Sequence, residues 1–194
     1  QPRSRGLGDV YKRQAWLLAQ MGDEGIAKVK PWLESKDATQ RLVAYRALRR
    51  ASQNVLAMAA KMASDADAGV RREVAVTLRD VTAEKSVPIL VKIAQQFDGK
   101  DRTYLDALGL GSEGKEAQVY AALKPTWDDA FAKLAWRLHP AEAVSDFKAR
   151  ALNDKLTPDQ RKLMLTAIAF APGREAAGAM PVSYTHLTLP TKRI

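Results

Sequence analysis

The sequence predicts an all-α fold: a right-handed α-solenoid of stacked antiparallel helix pairs with a period of 30 residues. Three observations predict it. Leu18, Leu48, Leu78, Leu108, Leu138 and Ile168 recur at that fixed interval. The positions three earlier (Ala15, Tyr45, Ala75, Leu105, Ala135, Leu165) are apolar, and so are those four earlier (Ala44, Val74, Tyr104, Leu134, Met164) except for Gln14. No alternating pattern competes for strands. Apolar residues at i, i+1 and i+4, repeated once per unit, mark one helix with one buried stripe. A fixed period of this length means that each unit buries its face by stacking on its neighbours.

Counting from the ruler residues places the second (B) helix of each pair at roughly 15–21, 38–50, 68–80, 101–110, 127–138 and 158–170. The first (A) helices fall at roughly 24–34, 53–63, 85–96, 113–123 and 141–152, with another beginning near Arg174. The 24–34 segment carries Ile26, Val29 and Leu33, but also Pro31. Proline inside a helix costs about 3 kcal/mol, so this helix should be kinked or start late. Leu56, Ala59 and Ala63 form the next A stripe, and Val87, Leu90 and Ala94 the one after. Asp37 and Asp67 stand where B-helix N-caps belong, and Ser112 where an A helix should start. Thr126 with Asp129 suggests a weak capping box; Thr157, Pro158 and Gln160 make a full one, with proline at the first helical position. Gly22, Gly111 and Gly173 punctuate helix ends.

The two termini fall outside the pattern. Asp9 to Gln14 back-translates to GAT GTG TAT AAG AGA CAG, the recognition end of a transposon used to prepare sequencing libraries, and Ser4 to Gly8 fits the preceding primer. Val182 to Leu187 reads as the reverse complement of that element, and Leu187 to Thr191 fits the companion primer. Residues 1–14 and 182–194 are therefore expected to be translated adapter, leaving 15–181 as a solenoid fragment truncated at both ends. The tails carry six Lys/Arg and one acid, so setting them aside lowers the net charge from +9 to +4. The basic balance is then too weak to argue for nucleic acid.

Composition narrows the chemistry. The absence of cysteine removes disulfides, thiolate metal sites, a cysteine nucleophile and covalent haem attachment from this segment. No apolar stretch approaches a membrane span. His139, the one histidine outside the tails, ends a B helix just before Pro140 and reads as a partner of the helix dipole rather than a ligand. Gly109, Gly111 and Gly114 have dinucleotide-fingerprint spacing, but a helix precedes them where a strand is required, so they read as an inter-repeat turn. No catalytic residue, cofactor site or metal site is expected.

The run from Asp67 to Leu78, with Val70-Arg71-Arg72 and Val74-Ala75, resembles the HEAT family of helical repeats, in the short bacterial form named after phycobilisome lyases. Asp37 and Arg41 match the same positions; Asp98 and Arg102 keep the spacing with a one-residue shift; the unit holding Trp127 and Phe131 lacks the arginine. The resemblance implies that Asp37 with Arg41, and Asp67 with Arg71, form a structural ladder between units. Arg71 to Ala75, Asp98 to Gly109 and Leu134 to Pro140 also resemble the HEAT region of large exported bacterial proteins that join a β-propeller, helical repeats and a c-type cytochrome. That likeness implies a periplasmic or exported location and, as an alternative function, a docking segment in a haem-containing dehydrogenase-like parent.

Positions −6, −2 and +1 from the ruler share one helix face. They hold Arg72 and Arg102, Arg46 and Trp136, and Arg49 and Arg79. Arginine beside tryptophan is hot-spot chemistry, so this stripe is the candidate partner-binding surface. The expected function is a non-catalytic scaffold that binds protein or other domains of its parent chain; nucleic-acid binding is the disfavoured third reading. Because the tails lie outside the 30-residue phase, deleting residues 1–13 and 183–194 should leave the thermal unfolding midpoint unchanged. A loss of several degrees would show that they belong to the fold.

Overall fold

A computed structural model describes residues 7–51, 54–173 and 176–179, and it is helical throughout them, with no strand. The ruler positions set the core. Leu48, Leu78 and Leu108 are 0% exposed, Leu138 3% and Ile168 1%. Leu18 is only half-buried. The apolar positions beside the ruler follow: Tyr45, Ala75, Leu105 and Ala135 are buried, as are Ala44, Val74, Tyr104, Leu134 and Met164, whereas Gln14 is exposed. A stripe this regular gives every B helix the same inward face.

The chain divides into two compact units, residues 1–74 and 75–194. In the first, α1 (Leu7–Ala19) is followed by α2 (Gly22–Val29), which passes into a 3-10 segment over Lys30–Glu34. Pro31 sits in the first turn of that segment. There its missing N–H breaks no α-helical bond, so the expected interruption becomes a change of helix type. Next come α3 (Ala38–Arg50), α4 (Val55–Met62) and α5 (Ala68–Thr77), the last of which ends in the second unit. Helix α1 packs on α3, where Ala15 and Ala19 meet Val43 and Ala47, with Trp16 and Trp32 against their edge. Small residues at this contact let the two helices approach closely. Helix α1 starts eight residues ahead of the expected 15, within the predicted adapter. Lys12, Arg13 and Gln14 are good helix formers and stay exposed, so they extend the helix while burial begins at Ala15.

The second unit contains α6 (Ala83–Ala94), α7 (Arg102–Gly111), α8 (Glu116–Leu123), α9 (Asp129–Leu138), α10 (Val144–Ala151) and α11 (Pro158–Phe170). Short 3-10 turns at Lys124–Thr126 and Ala141–Ala143 adjoin α8 and α10. Within this unit α7 packs on α9 and α9 on α11, while α6 packs on α8. Helix α11 also packs closely on α10, and α8 on α9. Helix α6 runs through Pro88 without ending, and it buries Leu90, Ile93 and Ala94 beyond it. Tertiary burial there outweighs the local penalty. Residues 176–179 are helical again, close to where a further A helix was expected.

Most caps fall where the sequence puts them. Asp37 accepts from Thr39 N–H at 2.8 Å, Asp67 from Val70 N–H at 3.0 Å, and Thr157 with Gln160 forms the capping box. Two fall elsewhere. Helix α9 is capped by Asp128, which accepts from Phe131 N–H at 2.6 Å, because Pro125 draws Lys124–Thr126 into a 3-10 turn and delays the start. Ser112 closes α7 instead of opening α8, and its hydroxyl is buried. Replacing Leu78 or Leu108 with alanine should cost about 2–5 kcal/mol. Leu18→Ala should cost clearly less, as its side chain is already part-exposed. Urea unfolding of the three variants measures this, and equal losses would contradict the burial gradient.

Candidate functional site

The loop ahead of each B helix is where charge gathers. Asp37 and Arg41 do not pair with each other. Asp37 caps its helix, and Arg41 swings across to Asp65, with Nε to Oδ2 at 2.7 Å and Nη2 to Oδ1 at 2.6 Å. The same guanidinium donates to Ser35 O at 2.8 Å. One period later, Arg71 donates to Asp65 O at 2.6 Å and Ala66 O at 3.0 Å. The loop turn repeats too: Ser35 Oγ accepts from Asp37 N–H and Asp65 Oδ1 from Asp67 N–H. The four ladder residues named from the sequence therefore sit in two equivalent loops, but the rung between them is Arg41 to Asp65. Asp65 is the partner that the sequence reading missed. Its signal was the shared spacing of Ser35 to Asp37 and Asp65 to Asp67, a polar side chain two residues before each cap.

Desolvation works against a charge on Asp65. The bidentate Arg41 contact and the Asp67 N–H outweigh it and hold the carboxyl below the ordinary aspartate range. Planar fork-to-carboxylate geometry of this kind is the strongest pairing that arginine makes.

The stripe residues are found as follows. In the first unit, Arg46 Nη2 lies 2.6 Å and Arg49 Nη1 3.3 Å from the carboxylate of Glu73, and Arg72 is half-buried. In the second, Arg79 Nε lies 2.7 Å from Glu113, and Arg102, almost fully exposed, has Asp106 at 3.9 Å. The guanidiniums of Arg46, Arg49 and Arg79 remain partly exposed, so an incoming carboxylate can still reach them. Each arrives with an acid alongside, which the face assignment did not include. Trp136 is half-buried, and its indole N–H has no hydrogen-bond partner among the described residues. It lines a small apolar pocket with Arg137, His139 and Phe170.

Lys115, nearly fully buried, is another feature that the sequence did not announce. Its ammonium donates to the carbonyl oxygens of Leu78 at 2.9 Å, Arg79 at 2.6 Å and Val81 at 3.0 Å. These carbonyls lie just past the end of α5, where the helix dipole favours a cation. Burial pushes the Lys115 pKa down, against the opposing charges of Asp80, Glu116 and Glu113. The glycines of the fingerprint-like stretch are contact points. A Cβ on Gly111 would meet Ala75 O at 2.3 Å, and one on Gly109 would lie 2.5 Å from the Arg137 guanidinium carbon. Only Gly114, with φ +74, serves the turn.

An aromatic cluster fills the space between α8, α9 and α10. Tyr120 stacks on Phe131, with Trp127 and Phe147 edge-on. Arg150 lies 4.5 Å over the Trp127 ring. The Tyr120 hydroxyl donates to Asp146 at 2.7 Å, and Lys124 pairs with the same carboxylate at 2.6 Å. Burial and the adjoining Asp146 push the Tyr120 pKa upward. The hydroxyl therefore stays a donor, in a packing role. His139 closes α9 in the left-handed region, at φ 32, with Nδ1 3.0 Å from Trp136 O. Among the described residues no group of three or more His, Cys, Asp or Glu side chains could hold a metal ion, and no helix is long and apolar enough to cross a membrane.

No protein family, curated protein or solved structure matches this chain.

The depressed carboxyl of Asp65 gives a pH signature. A group whose folded pKa lies below its unfolded value stabilises the fold above about pH 3.9, and that contribution disappears as pH falls through the folded pKa. Asp65→Asn should cost about 2 kcal/mol or more at neutral pH. The gap to wild type should close on acidification. Urea titrations at neutral and acid pH check both, and an equal gap at the two would contradict the pairing.

Proposed function

We propose that the chain is a HEAT-like α-solenoid segment that works as a non-catalytic scaffold, binding an acidic protein surface or another domain of its parent chain. One observation supports this most. Five of the six ruler residues, spaced at 30, are at most 3% exposed, and the first is half-buried. Periodic burial of this kind is what stacked helix pairs produce, and such arrays present rows of equivalent side chains to a partner. The packing of α1 on α3 in the first unit, that of α7 on α9, α9 on α11 and α6 on α8 in the second, and the equivalent loop geometry at Asp37 and Asp67 support the same reading.

The exposed arginines supply the binding chemistry. Guanidinium groups pair bidentately with carboxylates, and a partner acid would exchange with Glu73 or Glu113 rather than fill an empty cationic site. That exchange makes recognition selective for geometry more than for net charge. Reversing Arg49 and Arg79 together (Arg49→Glu, Arg79→Glu) should weaken partner recovery severalfold. Losing the exposed Arg79–Glu113 pair should shift stability by under about 1 kcal/mol. Arg49→Glu faces the mostly buried Glu73 and should cost more, with Arg46 still pairing that carboxylate. Quantitative pull-downs with both proteins, alongside thermal unfolding, measure the two effects. Equal recovery of the same partners would remove the arginines from the binding surface.

A further inference from the structure

We infer that the groove at the C-terminal ends of α9 and α11 docks a cationic peptide segment carrying an aromatic or aliphatic side chain. This rests on the scaffold reading and adds to it a second surface with the opposite charge preference. The groove, of about 490 Å³, is lined by Leu138, Pro140, Phe170, Pro172 and the carboxylates of Glu116 and Glu142, among others. An adjoining pocket of about 160 Å³, lined by Trp136 and Arg137, shares His139 and Phe170 with it.

Three features point to this ligand chemistry. Phe170 is 64% exposed, one of few large apolar side chains so placed among the described residues, and its ring stands 6.1 Å from that of His139. Exposed aromatic surface over a concave apolar floor is where a partner's apolar side chain gains most from burial. The second feature is charge. Glu142 is exposed and forms no ion pair among the described residues, while Glu116 accepts from the Gly114 N–H through Oε1 and adds its charge opposite Lys115. The carbonyl ends of α9 and α11 face the same region, and their dipoles favour a cation there. Among the described cations, Arg137 lines the adjoining pocket but also lies near Gly109 and Asp106, the latter at 3.7 Å, and the Lys115 ammonium is held by three carbonyls. Third, the adjoining pocket is apolar, with the Trp136 and Phe170 rings in its lining. The apolar lining accepts the side chain, and the carboxylates accept lysine or arginine.

The test is selection from a phage-displayed library of random short peptides on the full chain, followed by fluorescence polarisation of labelled synthetic winners. The expected winners place phenylalanine, tryptophan or leucine beside lysine or arginine. Phe170→Asp, and separately Glu142→Lys, should each weaken binding about tenfold or more. Both residues are exposed, so circular dichroism melts should match wild type. Arg49→Glu should leave peptide affinity unchanged. Acidic winners, no winners above background, or winners indifferent to Phe170→Asp would overturn the groove. Peptides whose binding maps to Arg46 or Arg79 instead would leave the scaffold reading standing and remove this inference alone.

Discussion

Helices of eight to thirteen residues are too short to persist alone in water. Fixing the first turn is costly, and so few residues return little for it. Every helix in this chain therefore depends on burying its stripe against another. The ruler residues are the contacts that make this possible. One large aliphatic side chain per 30 residues, with apolar neighbours three and four positions before it everywhere but Gln14, is enough to specify which face turns inward. The glycine and alanine contacts follow from the same need. Gly111 lies against the Ala75 carbonyl, and Ala15 and Ala19 lie against Val43 and Ala47, because close approach increases the area that short helices can remove from water.

Stacking short helices creates a second problem, since each leaves unpaired donors at one end and acceptors at the other. The chain meets it with side chains borrowed from elsewhere. Aspartates and Thr157 satisfy N-terminal donors locally. The acceptors after α5 are met by Lys115, more than thirty residues along the sequence. Arg41 likewise binds loop carbonyls and the Asp65 carboxylate together, so one cation closes its own loop and reaches the next. Charge in this protein is largely spent on joining neighbouring turns. That explains why the stripe arginines also meet acids.

The helix faces were legible because burial in a helix has a period that a single sequence displays. The second helices were placed within a few residues at nearly every end, and Pro31 and Thr157 were read correctly as local signals. Partners were harder. Asp37 and Arg41 are one turn apart in sequence, which suggests a pair, yet the arginine finds a more buried carboxylate in the following loop. Spacing within one helix cannot report on an acid in the following loop. Arg49 and Arg79 were visible as one position of a repeat, but not the glutamates that accompany them. Trp136 was named, whereas Phe170 beside it was not, since it lies outside the −6, −2 and +1 positions.

The sequence by itself determined the helical class, the inward stripe and most of the caps. Each depends on residues within about one turn of each other, and local geometry fixes what such residues can do. Tertiary structure alone decided the identity of the Asp65 rung, the burial of Lys115 beneath three carbonyls, and the groove beside Phe170. These join segments that sequence spacing leaves unrelated, and long flexible side chains choose among several partners only once packing has set which ones are near. A hydrophobic period survives in one dimension, whereas a hydrogen-bond partner is a distance in three.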